Sequence, residues 1–148
     1  MKTLRVYGSL ETVLPFDLRD FLQLLAPLSL TASWRVSAVD AGYSWFDATG
    51  PGGDVLEKMA RSGEAVSGRE LAAVAQDTLQ VIWGEFSGSL PAISDELWVR
   101  IRAIDSTFYE VTTADETVVE KIEATFDGVR RFDEVWKPFL GDGDTAVP

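Results

Sequence analysis

Short stretches in which apolar and polar residues alternate recur along the chain, and this period is typical of β-strands with one buried face. They predict strands over residues 3–7, 34–39, 43–48, 79–86, 97–104, 108–113 and 129–132, with a closing segment at 136–140 that packs back on the domain. Gly42 marks a turn between the second and third strands. The segments 49–53 and 87–96 are predicted to be loops.

Helical spacing appears between these strands. Apolar residues three and four positions apart predict a helix over 15–25, and Asp54 as a cap with Gly63 as a stop predicts one over 54–61. Two more helices each begin at a capping box, in which Ser or Thr is followed three residues later by Glu. One runs from residues 67–70 to about 77, and the other runs from residues 113–116 to about 126.

The order of these elements is β-α-β-β-α-α-β-β-β-α-β, which lacks the regular strand–helix alternation of a doubly wound nucleotide-binding fold. Neighbouring strands joined by short turns favour antiparallel pairing. We therefore predict an α+β fold, with a mainly antiparallel sheet and helices packed on one face. We expect residues 1–140 to form a single domain and residues 141–148 to form a flexible acidic tail.

The hairpin formed by residues 97–113 has a predictable register. A three-residue loop at 105–107 places Arg102 opposite Glu110, whereas a two-residue loop would move that carboxylate onto the apolar face. The longer loop puts Trp98, Arg100 and Arg102 on one face of the sheet, together with Glu110. Because the helices cover the other face, we expect this one to be open to water and to bind a partner.

Composition limits the chemistry. The chain has no Cys and no His, which excludes disulfides, thiolate nucleophiles and catalytic triads built on imidazole. Paired carboxylates remain, and Asp40, Asp47 and Glu85 could form a cleft that holds Mg²⁺ if the fold brought them together. Nothing in their spacing requires this, so the sequence predicts no catalytic residue, metal ligand or cofactor.

The formal net charge of −11 points to the kind of partner. It disfavours nucleic acids and anionic membranes, and no apolar run approaches the roughly 20 residues of a membrane span. It favours a basic protein partner, because complementary charge accelerates encounter. Acidic side chains are concentrated on the helix that begins near residue 115, where like charges recur one turn apart and predict a contact surface: Glu116, Glu120, Glu123 and Asp127.

These observations favour a small cytoplasmic binding protein over an enzyme. The concrete form that we expect is an immunity-type inhibitor, which covers the basic active site of a toxin enzyme. One alternative is an inhibitor from a phage or mobile element that mimics nucleic acid, and another is a carboxylate-dependent, magnesium-using enzyme. A structural subunit that forms a homodimer through its tryptophan-bearing face is a further possibility.

Overall fold

The computed structural model describes residues 1–8, 14–40 and 44–137, and for residues 40 and 44 it describes only the backbone. The predicted turn at Gly42 and the predicted tail at 141–148 lie outside the described residues. So does the part of the closing segment at 138–140.

Ten strands occur in the described part of the chain. They are β1 (Lys2–Tyr7), β2 (Ser33–Ser37), β3 (Val39–Asp40), β4 (Ser44–Trp45), β5 (Asp47–Thr49), β6 (Val66–Ser67), β7 (Gln80–Leu90), β8 (Ser94–Ile104), β9 (Phe108–Thr113) and β10 (Gly128–Phe132). Five helices accompany them, namely α1 (Leu18–Leu24), α2 (Leu28–Thr31), α3 (Pro51–Ser62), α4 (Gly68–Gln76) and α5 (Glu116–Thr125).

Eight of the strands form one antiparallel sheet. Its order is β10-β1-β9-β8-β7-β2-β6, with β5 paired to β7, while β3 and β4 form a separate two-stranded ribbon. The helices pack against this sheet, and the predicted α+β class is confirmed. None of the helices within the described ranges is long and apolar enough to cross a membrane.

One hydrophobic core lies between the sheet and its helices. Alternate residues of the strands supply one side of it, as the period-two pattern requires. Residues at helical spacing on α1, α4 and α5 supply the other side. The largest fully buried apolar side chains in this core are Trp34, Tyr109, Phe21, Phe86, Leu4, Leu18, Leu56, Leu71, Ile101, Ile122 and Val6.

The register predicted for the β8–β9 hairpin is confirmed. Arg102 lies opposite Glu110, and Ile104 lies opposite Phe108, so the connecting loop is the three residues 105–107. Asp105 and Ser106 adopt the left-handed conformation there, with φ angles of 52° and 58°. Asp tolerates this conformation better than most residues do, and the loop is therefore locally compatible with its sequence.

The predicted loop at 49–53 is wrong. Gly50 caps α3, and Pro51 occupies its first turn, a position that suits proline because the missing N–H has no partner there in any helix. Gly52 and Gly53 are buried in the same turn. A Cβ on Gly53 would lie 2.5 Å from the carbonyl oxygen of Ala48, so these glycines allow close packing rather than a flexible loop.

The predicted loop at 87–96 is also wrong, because β7 and β8 continue through most of it as a long hairpin with a turn at 91–93. The helix start predicted at Ser67 is confirmed, since its Oγ accepts a hydrogen bond from the Glu70 N–H. The box expected to start α5 at Thr113 is displaced. Asp115 caps that helix by accepting from the Thr117 N–H, while Thr113 Oγ1 accepts from the Asp115 N–H.

Helix α1 begins three residues later than predicted because Asp17, and not Pro15, precedes its first turn. The Asp17 carboxylate is buried, and its Oδ1 accepts hydrogen bonds from the Val81 N–H at 3.0 Å and the Tyr109 hydroxyl at 2.8 Å. Its Oδ2 has no partner in the described part of the chain. Burial therefore raises the pKa of Asp17 above its usual 3.8, against the lowering effect of these hydrogen bonds and of nearby Arg19.

Substituting Gly53→Ala should destabilise the protein by about 2 kcal/mol, since the added methyl group overlaps the Ala48 carbonyl in a packed interior. In an exposed helix the same change would stabilise by up to about 1 kcal/mol, so the sign itself is informative. Urea denaturation measures the effect, with Ser62→Ala in the exposed last turn of α3 as the control. A stabilised Gly53→Ala variant would contradict the close contact.

The raised pKa of Asp17 predicts that the free energy of unfolding depends on pH. Comparison with Asp17→Asn isolates this effect, because the variant keeps an acceptor for Val81 and Tyr109 but cannot titrate. A raised pKa means that the folded state binds a proton more readily than the unfolded state. The unfolding free energy of the wild type minus that of Asp17→Asn should thus increase as pH falls through the raised pKa, and should level off below about 3.8. Denaturation at a series of pH values tests this, and a flat difference would contradict it.

Candidate functional site

The sheet face opposite the helices carries a row of charged side chains across four neighbouring strands. Cross-strand pairing places Glu85 next to Arg102, Arg102 next to Glu110, and Glu110 next to Arg5. This alternating row contains two of the residues predicted to bind a partner. Its geometry decides whether a partner could reach them.

Glu110 is fully buried at the centre of the row. Its carboxylate accepts hydrogen bonds from Arg5 Nε at 3.1 Å and Arg102 Nη1 at 3.4 Å. It also accepts one from the backbone N–H of Trp136 at 2.7 Å. Three donors, two of them cationic, offset the cost of removing this carboxylate from water.

Arg102 is only 8% exposed, because the chain around Trp136 lies over it. Its Nε donates to Glu85 at 3.0 Å, and its Nη1 donates to the Trp136 carbonyl at 3.0 Å. Arg100 is more accessible, and its Nε lies 3.8 Å from Glu85. Of the predicted contact residues on this face, Arg102 and Glu110 are therefore occupied by internal pairs, whereas Arg100 remains partly open.

The placement predicted for Trp98 is wrong. Gly88 pairs with Val99 and Ser89 pairs with Leu97, so Trp98 is an extra residue that forms a β-bulge in β8. The bulge turns its side chain into the core, where its ring lies 6.2 Å from that of Trp34 and only 7% of the residue is exposed. Its Nε1–H donates to Asp115 Oδ2 at 3.0 Å, which ties β8 to the cap of α5.

Beyond the bulge, the β7–β8 hairpin and the start of α5 line an open pocket of about 260 Å³. Its lining combines four large apolar side chains with two carboxylates: Leu90, Ile93, Leu97 and Trp98, then Glu96 and Asp115, with Ser94 and Ala114 completing it. We name it the hairpin pocket. Ile93 at its mouth is 78% exposed, the largest exposure among the bulky apolar residues in the described part of the chain.

The sequence does not reveal this pocket, because its pattern predicts a loop over residues 87–96. A signal was present nonetheless: Leu90, Ile93 and Leu97 are bulky apolar residues in and beside a segment otherwise made of small and polar ones. Exposed apolar side chains next to an ordered element often mark contact sites.

The acidic residues predicted on α5 lie on its outer surface, but they differ in their partners. Glu116 forms an ion pair with Lys2, and Glu123 is bound by the guanidinium of Arg131 at 2.7 and 2.8 Å. The hydrogen bond from Arg131 lowers the pKa of Glu123. Glu120 and Asp127 are exposed, and within the described ranges neither forms an ion pair.

The three carboxylates considered for a magnesium site are not shown to converge. Glu85 is held by Arg102 and Arg100, and Asp47 is exposed on β5. The Asp40 side chain lies outside the described residues. Within the described ranges, no group of three acidic residues is arranged to hold a metal ion.

Comparison with protein-family models, with curated proteins and with solved structures found no match to this chain.

Removing the buried carboxylate should be far more damaging than removing an exposed one. Glu110→Ala leaves the guanidinium of Arg102 without its central acceptor in a covered site, and we expect a loss of about 3–5 kcal/mol in unfolding free energy. Glu123→Ala removes an exposed pair with Arg131 and serves as the matched control, with a small effect. Denaturant titration of both variants measures the difference. Equal losses would contradict the central role of Glu110.

Proposed function

We propose that this protein is a small acidic binding protein that covers a basic protein partner. The contact surface that we propose is an acidic edge defined by Glu96, Asp115, Glu116 and Glu120. Specifically, we propose an immunity-type inhibitor that covers the positively charged active site of a toxin enzyme and acts in the cytoplasm.

The observation that supports it most strongly is the joining of two elements at this edge. Glu96 on the β7–β8 hairpin and Asp115 at the cap of α5 line the same pocket, although they belong to different elements of the fold. Glu116 and Glu120 follow on the outer surface of the helix. Within the described ranges, Glu96, Asp115 and Glu120 have no ion-pair partner, so their charge is available to a cationic surface.

The charge distribution agrees with this choice of surface. Two of the chain's arginines are held in the charged row of the sheet: Arg5 lies 3.8 Å from the centre of the Phe132 ring, and Arg102 is buried between two glutamates. These two positive charges are engaged within the sheet, Lys2 pairs with Glu116 at the acidic edge, and the net charge of the chain is −11. A polarised surface of this kind accelerates association with an oppositely charged partner.

The acidic edge can be tested with a reconstituted complex. A tagged form of the protein is used to isolate a stoichiometric partner at low salt, and the purified partner is then titrated by calorimetry. We expect a basic partner whose Kd weakens at least about tenfold between 50 and 500 mM NaCl, because the exposed charges are screened. The double variant Glu96→Lys, Glu120→Lys should weaken binding by at least about tenfold as well.

The matched control is Asp47→Lys, Glu64→Lys, which makes the same change in net charge at two exposed positions away from the acidic edge. This control should change the Kd far less. An acidic partner, an affinity that salt leaves unchanged, or equal losses in the two double variants would contradict the proposal. Failure to obtain any stoichiometric partner would contradict it too.

A further inference from the structure

The floor and walls of the hairpin pocket are apolar and rigidly supported. Trp98 is fixed on two sides, by its ring contact with Trp34 and by its hydrogen bond to Asp115. Leu90 and Leu97 come from the paired strands of the hairpin, and Ile93 comes from its turn. A pocket built on paired strands offers a preformed apolar surface, which lowers the entropy lost on binding.

The rim of the same pocket is acidic. Glu96 is exposed, and Asp115 is half-buried, with Oδ1 engaged by the Thr117 N–H and Oδ2 engaged by the Trp98 indole. Both hydrogen bonds leave the negative charge of Asp115 in place, since both donors are neutral. None of the eight residues that line the pocket is basic.

A partner group that fits must combine an apolar stem with a positive end. Arginine and lysine both bury their methylene groups against apolar surfaces while their charged ends remain at the rim. Arginine fits better, because its planar guanidinium can donate to two carboxylates at once and is more weakly hydrated than an ammonium group. It is also one of the residue types that most often anchor protein interfaces.

We propose that the hairpin pocket is the anchor site for an arginine side chain of the partner protein, with the stem on Trp98, Leu90 and Leu97 and the guanidinium between Glu96 and Asp115. The proposal rests on the proposed function for the existence of a protein partner. The recognition of arginine by the pocket can nevertheless be measured without that partner.

The probe is the short peptide acetyl-Gly-Arg-Gly-amide, titrated into the ¹⁵N-labelled full chain and followed by NMR. The indole N–H of Trp98 reports directly, because it is bonded to the rim carboxylate of Asp115. We expect this signal to shift saturably with a Kd on the order of millimolar, as suits a single side chain, while the indole signal of buried Trp34 stays fixed. The isosteric citrulline peptide, which has no charge, should bind at least about fivefold more weakly.

Three variants locate the binding. Glu96→Gln with Asp115→Asn removes both rim charges and keeps one side-chain oxygen at position 115 as the acceptor for the Thr117 N–H. It should weaken arginine binding at least about fivefold. Ile93→Ser removes an exposed apolar wall without touching the core and should weaken it at least about twofold. Asp47→Asn with Glu64→Gln removes the same charge elsewhere and should leave the Kd unchanged.

The outcomes separate this proposal from the proposed function. Equal binding of the arginine and citrulline peptides, or no shift at Trp98, would overturn the arginine site even if a basic partner binds the acidic edge. Saturable arginine binding that the rim variant abolishes would support the site even if the partner were acidic. If the chain's mass doubles with concentration and the peptide competes with this self-association, a second copy occupies the pocket and the proposal of a different partner fails.

Discussion

The buried carboxylate of Glu110 organises the open side of the sheet. It lies directly opposite Arg102 on β8 and next to Arg5 on β1, so one charge joins three adjacent strands. A slip of one residue in this pairing would place the carboxylate on the apolar face of the hairpin, beside Val99, Ile101 and Ala103, where a charge is costly without a partner. The ion pairs therefore favour the observed register of β8 and β9, even though a buried ion pair contributes little to net stability by itself.

The same network holds the segment after β10 against the sheet. The backbone N–H of Trp136 donates to Glu110, and its carbonyl accepts from Arg102, so both polar groups of one peptide residue are satisfied by the row. The Trp136 ring then packs with Trp45 and Trp83, at centroid distances of 6.5 and 5.7 Å. A face that alternation alone would leave open to water is thus covered at its centre.

The position of Trp98 determines which side chains lie on each face of the β7–β8 hairpin. The bulge at Trp98 moves this ring from the charged face to the core and brings its indole N–H to the cap of α5. As a result, the turn end of the β7–β8 hairpin is held against the start of α5. An apolar pocket with an acidic rim forms where the two meet. Arg5 and Arg102 lie in the charged row on the sheet, whereas Glu96 and Asp115 lie at this edge.

Local signals in the sequence determined the α+β class, the helix that Ser67 caps and the β8–β9 register, because period, capping residues and loop length act between residues close together in the chain. They also identified Glu116, Glu120, Glu123 and Asp127 as outward-facing residues of α5 or its end.

Tertiary structure decided the rest. It made Gly53 part of a packed helix, since the constraint comes from the Ala48 carbonyl, and it formed α2 around Ser29, whose carbonyl accepts from Trp34. It also turned Trp98 inward through a bulge whose cause lies in the pairing with β7. Contacts between distant segments determine each of these positions. Patterns within one segment carry no information on such contacts, so they do not predict them.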